Sequence, residues 1–421
     1  MIGRPDHRLN WLLTSSAVSN LGDGVGKVAF PLLAATLTRD PLLIAALSAT
    51  QFLPWLLFAL VAGTLIDRVD RRKAMIVANL ARAVVVGGMG LLVYFDSVTI
   101  WLVYAGALLI GTAETVADSA ANVLIPAVVG KGSLEDANSK LQACEIVGQT
   151  FLGGPIGSAT FALFAAFPFL LNSAGFVVAA VLLLGLAGTY RPRTPAEPTR
   201  LRTDLADGIS WLKRSPVLLR LVVIAGLVSL ITELAQAQLV LYALEDLGLS
   251  EAAFGLFALI GGIGGLFGAA VAPRLIRRSG RRAVLVGGIV FCAIGFGGMG
   301  LSGQLVISAL LFGVFAAAVV SVNVVLGTIR HTLVPGELLG RVLGVWRTVV
   351  WGAIPVGALL GGLLTAVLGT ASRTFLVSGA LLVVVAMFAA LSLRRFAMGT
   401  THHESVSREN QRPRIGEIPG H

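Results

Sequence analysis

The chain has 421 residues, 56% of them hydrophobic and 13% charged, with a formal charge of +10 and a mean hydropathy of +0.87. That leaves too little polar side chain to coat an ordinary soluble core. The basic residues are neither spread along one helical face nor interleaved with aromatics, which sets nucleic acid aside as a partner.

A protein of the bilayer remains. About twelve apolar stretches of roughly 20 residues recur, each long enough as a helix to cross the ~30 Å hydrocarbon core. Spans are predicted over 11–37, 42–66, 74–95, 99–123, 141–164, 168–189, 217–243, 252–273, 283–302, 304–329, 343–367 and 372–393. The first follows the charged Arg4–Arg8 segment and is too long for a signal-peptide core, so it is expected to be retained. Cys144 and Cys292 each stand inside an apolar stretch, and no disulfide framework or zinc ligand set is indicated.

These elements group as a six-helix bundle over 1–190, a linker over 191–216, a second six-helix bundle over 217–395 and a disordered tail over 396–421, rich in Ser, Arg, Glu and Pro. The linker holds Pro192, Pro195 and Pro198, then Asp204–Trp211, a candidate amphipathic surface helix. The predicted fold class is all-α: a membrane protein of twelve transmembrane helices in two pseudo-symmetric bundles. Charge orients it. Arg68, Arg71, Arg72 and Lys73, Lys131 and Lys140, Arg274 to Arg282, Arg330, Arg341 and the tail from Arg394 fall on one side; the other carries Arg39 and Arg373 with Asp96, Glu245, Asp246 and Glu251. Short cytoplasmic loops retain Lys and Arg, so both termini are expected in the cytoplasm. Arginine far outnumbers lysine, a compositional hint of a GC-rich bacterial genome.

A weak internal repeat supports the division. Gly63-Thr-Leu-Ile-Asp67-Arg68-Val-Asp70-Arg71-Arg72 after span two recurs in degraded form as Gly268 to Pro273-Arg274 through Arg281-Arg282 after span eight. The first copy resembles the cytoplasmic loop signature of the major facilitator superfamily. Ser16–Asp23, Ile125-Pro126 and Val334-Pro335-Gly-Glu337-Leu-Leu-Gly340-Arg341 narrow the resemblance to the branch of macrolide-efflux and enterobactin-exporter-like proteins. It covers nearly the whole chain except the tail. What it implies is a carrier alternating between inward- and outward-open states, commonly exporting amphiphilic molecules in exchange for protons, with multidrug efflux and antibiotic resistance as consequences. It also implies that Gly63, Asp67, Arg68, Arg71 and Arg72 form a gating loop that latches the halves on the cytoplasmic side. Gly153, Gly154, Pro155 and Gly157 are similar to the Gly-Pro element of superfamily antiporters, although Thr150, Ser158 and Ala159 depart from the usual glycines.

Ionisable residues inside the spans are the candidates for mechanism, because a charge in hydrocarbon is costly unless it has a use. Asp23, midway along span one, is a proton-coupling candidate, since a proton makes it easier to bury; Lys27 at i+4 offers an opposing intrahelical ion pair. Glu114 and Asp118 form a second i,i+4 pair in span four, where two like charges are costly, so one is expected to hold a proton or to meet Arg82 of span three. Span four has no Arg, where the family often places one for proton transfer. Glu233, followed by Gln236 and Gln238, suggests a cavity-facing polar side that contacts substrate. Trp55 and Phe52, with Phe58, Trp346 and Trp351, line a pocket or serve as packing and interfacial anchors. Glu145 is expected to pair near the cytoplasmic gate with Arg347 of span eleven.

No Walker lysine motif, zinc-type His cluster or nucleophile elbow occurs. The expected function is therefore a non-enzymatic, proton-coupled exporter of small amphiphilic drugs or metabolites in a bacterial inner membrane. It is expected to act as a monomer without a cofactor, with the proton gradient as its energy source and with cargo, protons and the lipid bilayer as partners. A dedicated siderophore or lysophospholipid carrier is the alternative, and a membrane sensor or enzyme the remote one. Acids in the bundle favour cationic or neutral cargo.

Overall fold

The computed structural model describes residues 7–66, 69–129, 134–186, 188, 190, 210–334 and 336–394. Helices dominate them: α1 (His7–Leu37), α2 (Pro41–Ile66), α3 (Arg71–Tyr94), α4 (Ile100–Val128), α5 (134–163), α6 (Phe167–Leu184), α7 (Pro216–Gln236), α8 (251–279), α9 (281–301), α10 (Leu305–Leu333), α11 (Gly336–Leu368) and α12 (Ala371–Ser392). α8 and α9 form one continuous run, Glu251–Leu301, broken only at Gly280. There φ is 80° and ψ is 158°, a backbone state that a residue with a Cβ resists. Two six-helix bundles result.

Eight helices among the described residues, with the α8–α9 run counted once, are long and apolar enough to cross a membrane. α1, α2 and α5 fall outside that set, α2 contributing only a shorter apolar stretch, Pro41–Leu57. The polar residues of α1 and α5, including Asp23, Lys27, Glu145 and Gln149, are the ones that build the site described below. α5 and α11 start about two turns before the predicted spans, at Leu134 and Gly336. Hydropathy locates the part of a helix that sits in lipid and misses the polar turns that extend beyond it. α5 is also irregular: Leu134–Glu145 is α-helical, Ile146–Gly153 is π-helical, and Gly154–Leu163 returns to α. At the end of the predicted surface-helix segment, a short helix over 210–214 packs Trp211 against the hydrophobic core. Residues 204–209 and the tail over 396–421 lie outside the described residues.

The bundles meet chiefly through two helix pairs. Between α2 and α11, a methyl group at Gly362 would stand 2.8 Å from the Leu42 Cα, and the rings of Trp55 and Trp351 meet edge to face at 5.4 Å. Between α5 and α8, Ser158 Oγ donates to the Ala252 carbonyl at 3.0 Å. The Arg39–Glu245 ion pair, at 3.7 Å, adds an exposed contact. All of these lie between mid-bundle and the end that carries the 38–40, 164–166 and 247–250 connections, opposite the basic loops.

Candidate functional site

A cavity of about 460 Å³ opens in the first bundle, walled by α1 to α6 and closed on one side by Trp351 of α11. A second, of about 220 Å³, shares Asp23, Trp55, Asp118, Glu145 and Gln149 with it and reaches Ser15, Met75 and Leu141 toward the basic end. Together they make one polar chamber.

Asp23 is brought to it by close packing of α1 against α5. A methyl group at Gly24 would stand 2.6 Å from the Gln149 backbone, and one at Gly157 would stand 2.9 Å from the Val25 carbonyl. Small residues let two membrane helices approach closely. The predicted Gly-Pro element, Gly153, Gly154, Pro155 and Gly157, thus holds α1 against α5 and, through Gly154 beside Gly255, α5 against α8. The π-helical stretch directly precedes it. Such stretches often mark functional positions in membrane helices, and this one carries Gln149 into the chamber.

Asp23 pairs with Arg82 of α3 rather than with Lys27. Arg82 is 1% exposed; its Nη1 donates to Ser19 Oγ at 3.1 Å and to Asn79 Oδ1 at 3.4 Å, and its guanidinium lies over the Phe176 ring at 4.3 Å. A planar fork that meets a carboxylate, a hydroxyl, an amide and an aromatic face suits Arg and not Lys. Arg82 Nε is buried without a hydrogen-bond partner. Lys27 instead donates to Gln149 Oε1, and Gln149 Nε2 donates to Asn20 Oδ1 at 2.6 Å. The predicted intrahelical pair is therefore replaced by two links between helices, α1 to α3 and α1 to α5.

Glu114 and Asp118, one turn apart on the same face of α4, both line the chamber. Among the described residues, neither has a hydrogen-bond or ion-pair partner; Arg82, the partner expected for them, is engaged by Asp23. Phe52 and Trp55 lie on the wall with Phe30, Phe176 and Trp351. Trp346 is buried under the Arg330 guanidinium, at 4.6 Å, and is packing.

Two further expectations are corrected. Glu145 lines the chamber, but Arg347 lies over the Trp351 ring at 5.4 Å instead of pairing with it; an aromatic face takes the guanidinium. Glu233, Gln236 and Gln238 are not on the chamber wall. Glu233 Oε1 accepts from Ser48 Oγ of α2 at 2.7 Å, and Gln238 Nε2 donates to the Pro41 carbonyl at 3.1 Å, so Glu233 and Gln238 join the bundles. The Gln236 Oε1 is buried without a partner. A polar cluster in an apolar helix signals a polar neighbour, and here the neighbour is the other bundle.

Of the predicted gating loop, Gly63 stands in α2, and Asp67 and Arg68 lie outside the described residues. The Arg71 amide donates to the Tyr190 carbonyl at 3.5 Å. Arg72 donates to the Leu183 and Leu184 carbonyls at the end of α6, at 2.8 Å each, a favourable place for a cation. Asp70, which sequence reasoning passed over, caps α3: it accepts from the Arg72 and Lys73 amides at 3.1 and 3.2 Å and from the Tyr190 amide at 3.2 Å. An Asp one residue before a helical Arg-Arg-Lys was the available signal. Asn20, Asn79, Gln149 and Asn172 were also missed. They are uncharged amides inside apolar spans, and a search for charge alone does not find them.

The family model for transmembrane secretion effectors, within the major facilitator superfamily, matches residues 6–415. An uncharacterized major facilitator-type transporter, YfiS of Bacillus subtilis, is 27% identical over 390 residues, 89% of this chain and 91% of its own length. The multidrug efflux pump Tap of Mycobacterium tuberculosis is 26% identical over 367 residues, 84% of this chain and 86% of its own. Among solved structures, the nucleoside transporter NupG is similar with a TM-score of 0.74 at 14% identity, covering 93% of this chain and 100% of that one. A bacterial homologue of the iron transporter ferroportin reaches 0.71 at 15% identity, covering 92% and 100%.

Proposed function

We propose, on the premise that this chain belongs to the transmembrane secretion effector family of major facilitator transporters, that it exports small amphiphilic compounds, cationic or neutral, in exchange for protons. The observation that carries the reading is the make-up of the chamber. Asp23, Glu114, Asp118 and Glu145 face it with Lys27 as the cation on its wall, and Arg82, behind the wall, is engaged by Asp23. Acid is therefore in excess. Phe30, Phe52, Trp55, Phe176 and Trp351 supply the apolar and aromatic surface that an amphiphile needs, and π faces attract cations.

Excess carboxylates in a low-dielectric chamber need a positive charge, from a proton or from a cation on the cargo. Two ligands that neutralise the same groups exclude each other, and that exclusion is antiport in its simplest form. Cargo entering from the basic end displaces protons from Glu114 and Asp118; reprotonation from the opposite side releases it and resets the carrier. In this scheme the Asp23–Arg82 pair stays paired and positions α1 against α3. The basic end and both termini face the cytoplasm of a bacterial inner membrane. Similarity to Tap, a multidrug efflux pump, supports the cargo class.

Efflux of fluorescent dyes, macrolides and tetracyclines from cells expressing the chain, with and without a protonophore, tests the proposal. Protonophore-sensitive efflux of several unrelated compounds is the expected result. Efflux of none of them, or efflux indifferent to the protonophore, overturns it.

A further inference from the structure

The largest basic cluster among the described residues sits at the mouth of an apolar groove on the opposite bundle from the chamber. Arg274, Arg277, Arg278, Arg281 and Arg282 crowd the α8–α9 junction at Gly280, and the sequence has no Asp or Glu between Glu251 and Glu337. Arg281 turns to Thr332 Oγ1 at 3.4 Å and Arg282 to the Ala390 carbonyl at 2.9 Å, tying the junction to α10 and α12. Arg274, Arg277 and Arg278 remain exposed, and none has an ion-pair partner among the described residues. The corresponding junction in the first bundle differs, because Asp70 supplies a carboxylate within its basic run.

From this cluster a groove of about 630 Å³ runs between α8, α9 and α10. Phe267, Val271 and Leu275 of α8 form one wall, Gly287 and Phe291 of α9 the other, and Val314 lies on the α10 side. Its α8 stripe continues into the cluster: Phe267, Val271, Arg274, Leu275 and Arg278 follow one another at intervals of one to four residues on a single helical face. From Ile260 to Leu275 the groove follows α8 for roughly 22 Å, more than the ~15 Å depth of one leaflet's hydrocarbon.

We infer that the α8–α9–α10 groove with Arg274 and Arg278 is a binding site for one anionic phospholipid, its acyl chain in the groove and its phosphate at the arginines. Charge complementarity selects the occupant: a run of arginines without acids attracts anionic headgroups, and basic pockets between helices bind them. A zwitterionic lipid fills the groove equally well but gains little from the arginines. The site is independent of the transport reading, and its test does not use transport.

Native mass spectrometry of the full-length chain in detergent, titrated with phosphatidylglycerol and with phosphatidylethanolamine of the same acyl chains, provides the measurement. Phosphatidylglycerol is expected to stay bound at collision energies that strip phosphatidylethanolamine. R274Q/R278Q should weaken it about thirtyfold, from roughly fivefold per basic residue near an anionic lipid. Gly287→Leu puts a side chain into the groove from a position where a Cβ meets nothing within 4 Å, and should weaken it as well; R373Q, at the other end of the bundle, should not. Equal retention of both lipids overturns the site, as does unchanged binding in R274Q/R278Q. Loss in R274Q/R278Q with full binding in Gly287→Leu reduces it to attraction at the surface and overturns the groove.

Discussion

Around its chamber, the first bundle holds Asp23, Lys27, Glu114, Asp118 and Glu145 with Arg82 behind the wall, whereas the second packs stacked rings toward its 247–250 and 302–304 connections. Phe296 lies 3.9 Å from Phe315 and 5.2 Å from Phe375, and Tyr242 lies 4.6 Å from Phe375. The Tyr242 hydroxyl stands 2.8 Å from both the Met299 carbonyl and Ser308 Oγ. Glycines of the second bundle meet backbone directly: Gly264 faces Gly313, and Gly268 faces Ala317. One bundle encloses charged side chains in a chamber, and the other packs rings and backbone closely against one another. The difference teaches that a duplicated architecture need not duplicate its chemistry.

The largest effect is expected where charge is buried deepest. Arg82→Ala strands Asp23 without its cation, and breaking a buried pair in this way costs about 3–5 kcal/mol. Thermal unfolding in detergent should show the loss, and D23N/R82M, which removes both charges, should recover most of it. If Arg82→Ala unfolds at the native temperature, the first bundle's charges are not what organises it.

Crowding the α1–α5 contact comes next. Gly24→Ala places a methyl 2.6 Å from the Gln149 backbone, and overpacking of this kind costs about 1–3 kcal/mol. Gly287→Ala in the second bundle meets nothing within 4 Å and should leave stability unchanged. Comparing the two melting curves separates a crowded glycine from an open one.

Much of this arrangement was legible in the sequence. Length and hydropathy placed the twelve spans, with starts off by as much as two turns at α5 and α11, because the bilayer imposes one helix length whatever the tertiary context. Charge in a span singled out Asp23, Arg82, Glu114 and Asp118, which the structure gathers in and behind the wall of one chamber. Which of them meet was less visible. Lys27 at i+4 seemed the natural partner of Asp23, but local spacing says nothing of Arg82, fifty-nine residues on along the chain. Nor does it foretell the π-helical register of Ile146–Gly153, which depends on α1 lying close enough to receive Gln149. Glu233 was misplaced for the same reason: polarity inside a span reports that a polar group is needed and leaves open whether cargo or the other bundle needs it.

For transport, Glu114→Gln removes a titrating group while keeping its size. Gradient-driven efflux should fall about tenfold, equivalent to ~1.4 kcal/mol, while exchange of labelled for unlabelled cargo without a gradient persists. Equal loss of both would mean that Glu114 binds cargo without coupling it to protons.

The last pair lies where α2 meets α7, and its Glu233→Gln member is expected to change least. Ser48→Ala leaves the Glu233 carboxyl at the interface without its hydroxyl donor, at a cost of roughly 1–3 kcal/mol. The contact then opens more often, and a cysteine placed at Ala237, 8% exposed beside that contact, should label faster once Cys144 and Cys292 have been replaced. Glu233→Gln keeps an oxygen for Ser48 and touches no chamber residue. Its labelling should stay near that of the parent, and its cargo affinity within about twofold, less than 0.5 kcal/mol. A tenfold loss of affinity in Glu233→Gln would bring the second bundle into cargo recognition, and the division of labour between the bundles would fall with it.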